Sequence, residues 1–276
     1  MTSPSRRSRV TRRDLVRAGA ALAVAVGGCS SGNEADSGVR LDARIELDPE
    51  AWDVFTITSG DRVRLERAVM GLGALYYGGI FEEPLARRSP GRLERLLGAL
   101  VRTAHAHPGH FSYGTVLGQW IGPRALDLSE APIVLRGGQG LVGPYSIGQV
   151  VYAPLEGNDP FDYTTPIARL EGVALRDDDE EIAFRVTATL EDVWPHAVEG
   201  TVHDCRFEPA DVSGDGTVVV TIDPRVWLQT AELATLEPSS ERLDLGPETQ
   251  VQRAFALGLA QSFAYAFSFE PAAAED

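Results

Sequence analysis

The sequence predicts a mainly β protein, an antiparallel β-sandwich with one or two short peripheral helices. Three observations carry that expectation. Short apolar runs recur through the second half of the chain, separated by acidic or glycine-containing turns. Phe263, Tyr265, Phe267 and Phe269 alternate strictly, which predicts a strand with an aromatic inner face. Helical spacing is confined to two short stretches, 92–101 and 247–261.

Taken in order, Val39–Leu47 alternates loosely and is rich in β-favouring residues. Val63, Leu65 and the run Val69 to Tyr77 form a longer extended segment that ends at Gly78-Gly79. Ser89 is a candidate N-cap and Pro90 a first helical residue, with Leu93, Leu96, Leu97, Leu100 and Val101 at helical spacing behind them. Arg136 to Gly143 is glycine-rich, lacks the Lys-Ser/Thr of a phosphate-binding loop, and reads as a flexible loop. Ala168–Leu175 and Glu181–Leu190 flank a charged tip, Arg176 to Glu180, and predict a hairpin. Val198–Phe207 and Thr217–Ile222 predict a second hairpin about the turn Asp211 to Gly216. Val251, Phe255 and Leu259 share one side of a helix within Pro247–Gln261.

The first residues carry a different signal. Six arginines precede residue 18 against one acid, Asp14, and the apolar run Ala18 to Gly28 is about eleven residues long. A membrane-spanning helix needs roughly 20 residues, so the pattern is that of an export signal over 1–28. Arg12-Arg13 within Thr11 to Val16 resembles the twin-arginine signal of the pathway that exports folded proteins. Val26-Gly27-Gly28-Cys29 resembles a bacterial lipobox, with Val where Leu is usual. That resemblance implies cleavage before Cys29 and lipidation of its thiol. It also implies, from Ser30 at the next position, an outer-membrane anchor facing the periplasm or the cell surface. Residues 29–38 then read as the lipidated cysteine and a Gly/Ser-rich tether, and 39–276 as a single β-rich domain.

Charge and cysteine content narrow the function. The signal takes six of the 25 basic and one of the 40 acidic residues, leaving 19 against 39, a net of −20. Such a body lacks the basic footprint that nucleic acid requires. With Cys29 lipidated, Cys205 stands alone and no internal disulfide can form. The remaining length is sufficient for a hydrophobic core without covalent staples.

Three of the five histidines lie within six residues, His105, His107 and His110, followed or interrupted by the turn signal Pro108-Gly109. In extended chain His105 and His107 point to one side, and the turn can return His110 toward them. Three neutral imidazoles suit Zn(II), Cu(II) or Ni(II) and leave a fourth position open, with copper or zinc the expected metal. His203 and Cys205, also two apart on a predicted strand, are further candidates for the same metal. The plainer alternative is a solvated histidine loop. Asp211 to Gly216 reads like the start of a calcium loop, but position twelve is Ile222 rather than Glu, so a hairpin turn is the simpler reading.

The run Ala104 to Phe111, with Glu199-Gly200, Cys205-Arg206-Phe207, Asp223 to Trp227 and the C-terminal Ala254-Phe255 and Tyr265-Ala266-Phe267, resembles a group of bacterial envelope lipoproteins. That resemblance implies a location and no activity. In layout alone the chain is also similar to periplasmic copper-binding proteins that partner di-haem oxidases, which carry cysteines missing here. The resulting expectation is a non-catalytic, lipid-anchored envelope protein that binds copper or zinc through its histidine loop. The alternative is an envelope interaction module displaying loops to a protein or glycan partner, without metal.

If Cys29 carries the anchor, Cys29→Ser releases the protein from the membrane fraction. Fractionation of cells expressing parent and variant checks this, and a variant that remains membrane-bound like its parent refutes it.

Overall fold

A computed structural model describes residues 38–79, 115–157, 163–176, 180–195 and 200–273. Among them thirteen strands form one continuous sheet. The strands are β1 (Gly38–Leu47), β2 (Phe55–Thr56), β3 (Arg62–Gly79), β4 (Thr115–Asp127), β5 (Ile133–Leu135), β6 (Gln139–Leu141) and β7 (Gly143–Tyr152). They continue with β8 (Pro166–Leu175), β9 (Glu181–Thr189), β10 (Thr201–Val212), β11 (Gly216–Ile222), β12 (Leu243–Leu245) and β13 (Tyr265–Pro271). Two α-helices occur among the described residues, α1 (Leu190–Val193) and α2 (Gln250–Leu259). The mainly β class is as the sequence predicts. The strands do not divide into two separate sheets.

The ladder closes on itself. From β3 it passes through β4, β6, β1, β11, β13 and β10 to β7, and β7 pairs again with β3. This makes an eight-stranded ring, a size whose interior side chains can fill. β8, β9 and β12 extend from the first half of β3. Residues 62–70 of β3 pair with β8, whereas residues 72–78 pair with β7 on that edge and residues 69–79 pair with β4 on the other. At the changeover Gly71 accepts from Ala153 N at 2.9 Å, and a Cβ at Gly71 would lie 1.9 Å from Ala153 O. Only glycine permits that approach.

Large aromatic rings facing small residues fill the ring's interior. Tyr77, Tyr145, Phe207 and Phe267 follow one another at centroid distances of 6.1, 5.9 and 6.0 Å, within the range for favourable aromatic contact. Opposite Tyr77 is Gly118, and opposite Phe267 is Gly148, where a Cβ would meet the rings at 2.4 and 2.6 Å. The segment 136–143, expected to be a flexible loop, is instead part of the wall. β6 pairs with both β1 and β4, and a Cβ on Gly138 would lie 1.9 Å from Leu41 O. Gly138 and Gly140 serve close packing, whereas Gly137 adopts a φ of 90° with open space beside it.

The β8–β9 hairpin is as the sequence predicts, with Leu175 opposite Glu181 and Arg176 N donating to Glu180 O at 3.0 Å. Helix α2 buries Val251, Phe255 and Leu259 as expected, and its N-cap Thr249 accepts from Gln252 N at 3.2 Å. The second expected hairpin does not form. β10 and β11 are separated by β13, which runs parallel to β10 and antiparallel to β11. β13 supplies Tyr265 and Phe267 to the interior, so burial of those rings outweighs the local pairing. Phe263 departs from the aromatic row and is 62% exposed. It sits in the 3-10 turn Ser262–Ala264, whose rotation of about 120° per residue removes it from the strand's inner face.

Gly138→Ala should lower stability by about 1–3 kcal/mol, the range for overpacking. Denaturant unfolding of parent and variant measures it, and an unchanged midpoint contradicts the close approach at Leu41.

Candidate functional site

His105, His107, His110 and His196 lie outside the described residues, as do Cys29, Arg12, Arg13, the helix expected over 92–101 and most of the 176–180 tip. His203 and Cys205 are described, and the structure does not bring them together. Between Val202 and Cys205, β10 advances three residues while β7 advances two, from Val150 to Gly148. The extra residue is a β-bulge at Asp204, whose φ of 57° lies in the left-handed region. The two-residue period on which the pairing argument rested is therefore broken. His203 is exposed and Cys205 is 1% exposed. Among the described residues no group of three or more His, Cys, Asp or Glu side chains is placed to hold a metal ion.

Cys205 is a core residue. Its Sγ donates to Val202 O at 3.6 Å, and burial, with the Asp204 charge nearby, pushes its pKa up to about 12. A nucleophilic or metal-binding cysteine requires the opposite shift. Beside it lies a closed polar cluster. Tyr152 Oη donates to Tyr265 Oη, which also accepts from Trp227 Nε1 at 3.2 Å and donates to Leu259 O at 3.0 Å. Leu259 ends α2, so the cluster satisfies a carbonyl that the helix leaves without an intrahelical partner. Every member is buried, which makes this cluster structural.

Asp223 to Trp227, singled out in the sequence, has a structural account as well. Asp223 caps the 3-10 helix Pro224–Leu228 by accepting from Arg225 N at 3.0 Å. The Arg225 guanidinium is held by Asp223, by Asp48 at 2.8 Å and by Glu50 at 3.0 Å. Those three carboxylates hold its pKa above the usual arginine value. It borders an open depression of ≈ 230 Å³, but its donors are already committed to acids, so it presents no free cation to an anionic ligand.

The turn Asp211 to Gly216 clasps neighbouring strands. Asp215 Oδ1 accepts from Arg40 N at 2.8 Å, its Oδ2 lies 3.6 Å from the Arg40 guanidinium, and its carbonyl accepts from Ala272 N at 2.9 Å. The carboxylate thus joins the turn to β1.

Strand direction divides the chain's connections between two ends of the ring. Gly38 pairs with Leu141, Gly79 with Thr115, Val212 with Gly143, and Gly216 with Pro271. These pairs belong to one rim. The chain enters the body there at Gly38, and the connection 80–114, which contains His105, His107 and His110, both leaves and returns there. Leu141 and Val142 stand on this rim at 43% and 39% exposure, a feature the sequence reading missed inside the glycine-rich run. Tyr145 Oη lies 2.7 Å from Leu141 O and 3.1 Å from Leu117 O and fixes the β6–β7 turn, and burial pushes its pKa up to about 12. The opposite rim carries α2 and the 3-10 turns, where Leu257 and Phe263 are each 62% exposed. No described helix is long and apolar enough to cross a membrane.

The chain matches no known protein family, no curated protein and no solved structure.

Cys205 stays protonated in the fold up to about 12, whereas a thiol in an unfolded chain ionises near pH 8.5. Between those values the unfolded state holds fewer protons, so stability falls as pH rises. Cys205→Ala should remove the part of that fall that begins near pH 8.5. Unfolding curves from neutral to alkaline pH test this, and identical pH slopes for parent and variant contradict it.

Proposed function

We propose that this is a lipid-anchored cell-envelope protein whose β-body is a non-catalytic scaffold and whose histidine-bearing connection 80–114 binds copper or zinc. The observation that carries this reading is the placement of that connection. Its ends are held by the paired residues Gly79 and Thr115, on a rim built from closely packed strands. Long connections mounted on rigid scaffolds are where binding residues concentrate. The wall supports the scaffold role, because its interior is filled by side chains and its buried polar groups at Tyr152, Tyr265 and Trp227 serve one another.

In this reading His105, His107 and His110 supply three imidazoles, and a water or a partner's donor completes the sphere. His203 and Cys205 no longer belong to it, since the bulge at Asp204 turns them apart. The interaction-module alternative draws its support from the exposed Leu141 and Val142.

Ligation needs neutral imidazoles, so affinity falls as pH drops through about 6.5. The full chain carrying Cys29→Ser should take up about one equivalent of Zn(II) or Cu(II) near pH 7.5 and release it by about pH 5. His107→Ala should remove most of that affinity, while His196→Ala and His203→Ala leave it unchanged. Titration calorimetry measures each. Equal binding by the parent and by the His105/His107/His110 triple-Ala variant sinks the metal reading and promotes the interaction module.

A further inference from the structure

We propose that the rim bearing Leu141 and Val142 docks by apolar contact on the surface of the lipid bilayer that holds the Cys29 anchor. This rests on the lipid-anchor reading and adds an orientation to it.

Reach favours this rim. Nine peptide steps separate Cys29 from Gly38, which at full extension span at most ~32 Å. β1 alone has ten residues, about 33 Å of strand. A chain tethered at Gly38 therefore holds that rim within ~32 Å of the bilayer, nearer on average than the opposite rim.

The rim also presents apolar side chains. Leu141 and Val142 are 43% and 39% exposed at the β6–β7 turn, beside half-buried Val116 and Leu117. A shallow depression of ≈ 250 Å³ runs behind Leu141 between β4 and β6. The Tyr145 hydroxyl holds the turn by its bonds to Leu141 O and Leu117 O, at 2.7 and 3.1 Å, so the apolar tip is presented in a set position. Tethering supplies a high local concentration of bilayer, so a contact too weak to recruit a free protein suffices to orient an anchored one.

Charge selects the kind of lipid. Two acids near this rim are paired, Asp215 with Arg40 at 3.6 Å and Glu270 with Arg44 at 2.7 Å. The mature body carries a net charge of −20, so an anionic membrane repels it at long range. The favourable contact is thus with a neutral lipid surface and does not depend on salt.

The test uses the full, acylated chain reconstituted in phosphatidylcholine vesicles, with a polarity-sensitive fluorophore on Val142→Cys or, as control, on Leu257→Cys. Acylation caps Cys29 and burial protects Cys205, so only the introduced thiol reacts. The expected result is blue-shifted emission at position 142, quenched severalfold more by lipid-borne quencher than emission at position 257, and unchanged in about 1 M salt. Water-like emission from both positions on a vesicle-bound, acylated chain overturns the docking and leaves the anchor standing. Loss of the position-142 signal in salt overturns the apolar contact. Cys29 without lipid by mass spectrometry refutes the anchor, and the docking falls with it.

Discussion

Hydrogen bonding on both edges of β3 is the constraint from which the rest of the structure follows. Residues 72–78 bond to β7 on one side and to β4 on the other, and that double pairing turns an open sheet into a ring. At eighteen residues the strand is far longer than the usual 5–6, and it must bend to serve two partners in succession on one edge. Register shifts at 65–67 and 72–74, with Gly71 and Gly73 at the changeover, provide the bend. Without it the first half of β3 would carry β8 and β9 away as a flat extension and leave β7 unpaired on that side.

Ring closure sets what the interior can hold. Tyr77, Tyr145, Phe207 and Phe267 occupy it as a row of rings, and the wall opposite them is thinned to glycine at 118 and 148. Four rings in a row thus take up that part of the interior.

Much of the local structure was legible in the sequence. The charged tip at 176–180 marked the β8–β9 hairpin, and the spacing of Val251, Phe255 and Leu259 marked α2. What escaped was pairing between distant segments. Period-two alternation says which side chains share a face; it does not say which strand lies alongside. The turn at 211–216 therefore suggested that β10 pairs with β11, although the aromatic strand β13 lies between them. The packing role of Gly138 and Gly140 escapes a sequence reading for a related reason. A glycine that admits a neighbour's backbone and one that loosens a loop look alike until the neighbour is known. At the candidate site, one left-handed residue, Asp204, undid the pairing of His203 with Cys205, and non-glycine residues in that conformation are too uncommon to be anticipated from sequence.

The position of β13 also governs the order in which the body can assemble. β13 is the last of the described strands along the chain, yet it lies between β10 and β11 in the ring's strand order. During synthesis, until residues 265–271 have emerged, β10 and β11 each present an unpaired backbone edge and the ring has a one-strand gap. Such edges are templates for pairing with other chains. The seam that finally closes is also narrow, with two residue pairs joining β13 to β10, Arg206 with Ala266 and Phe207 with Phe267. The barrel is therefore sealed later than its other described strands are made, by a strand whose buried Tyr265 and Phe267 fasten it from within.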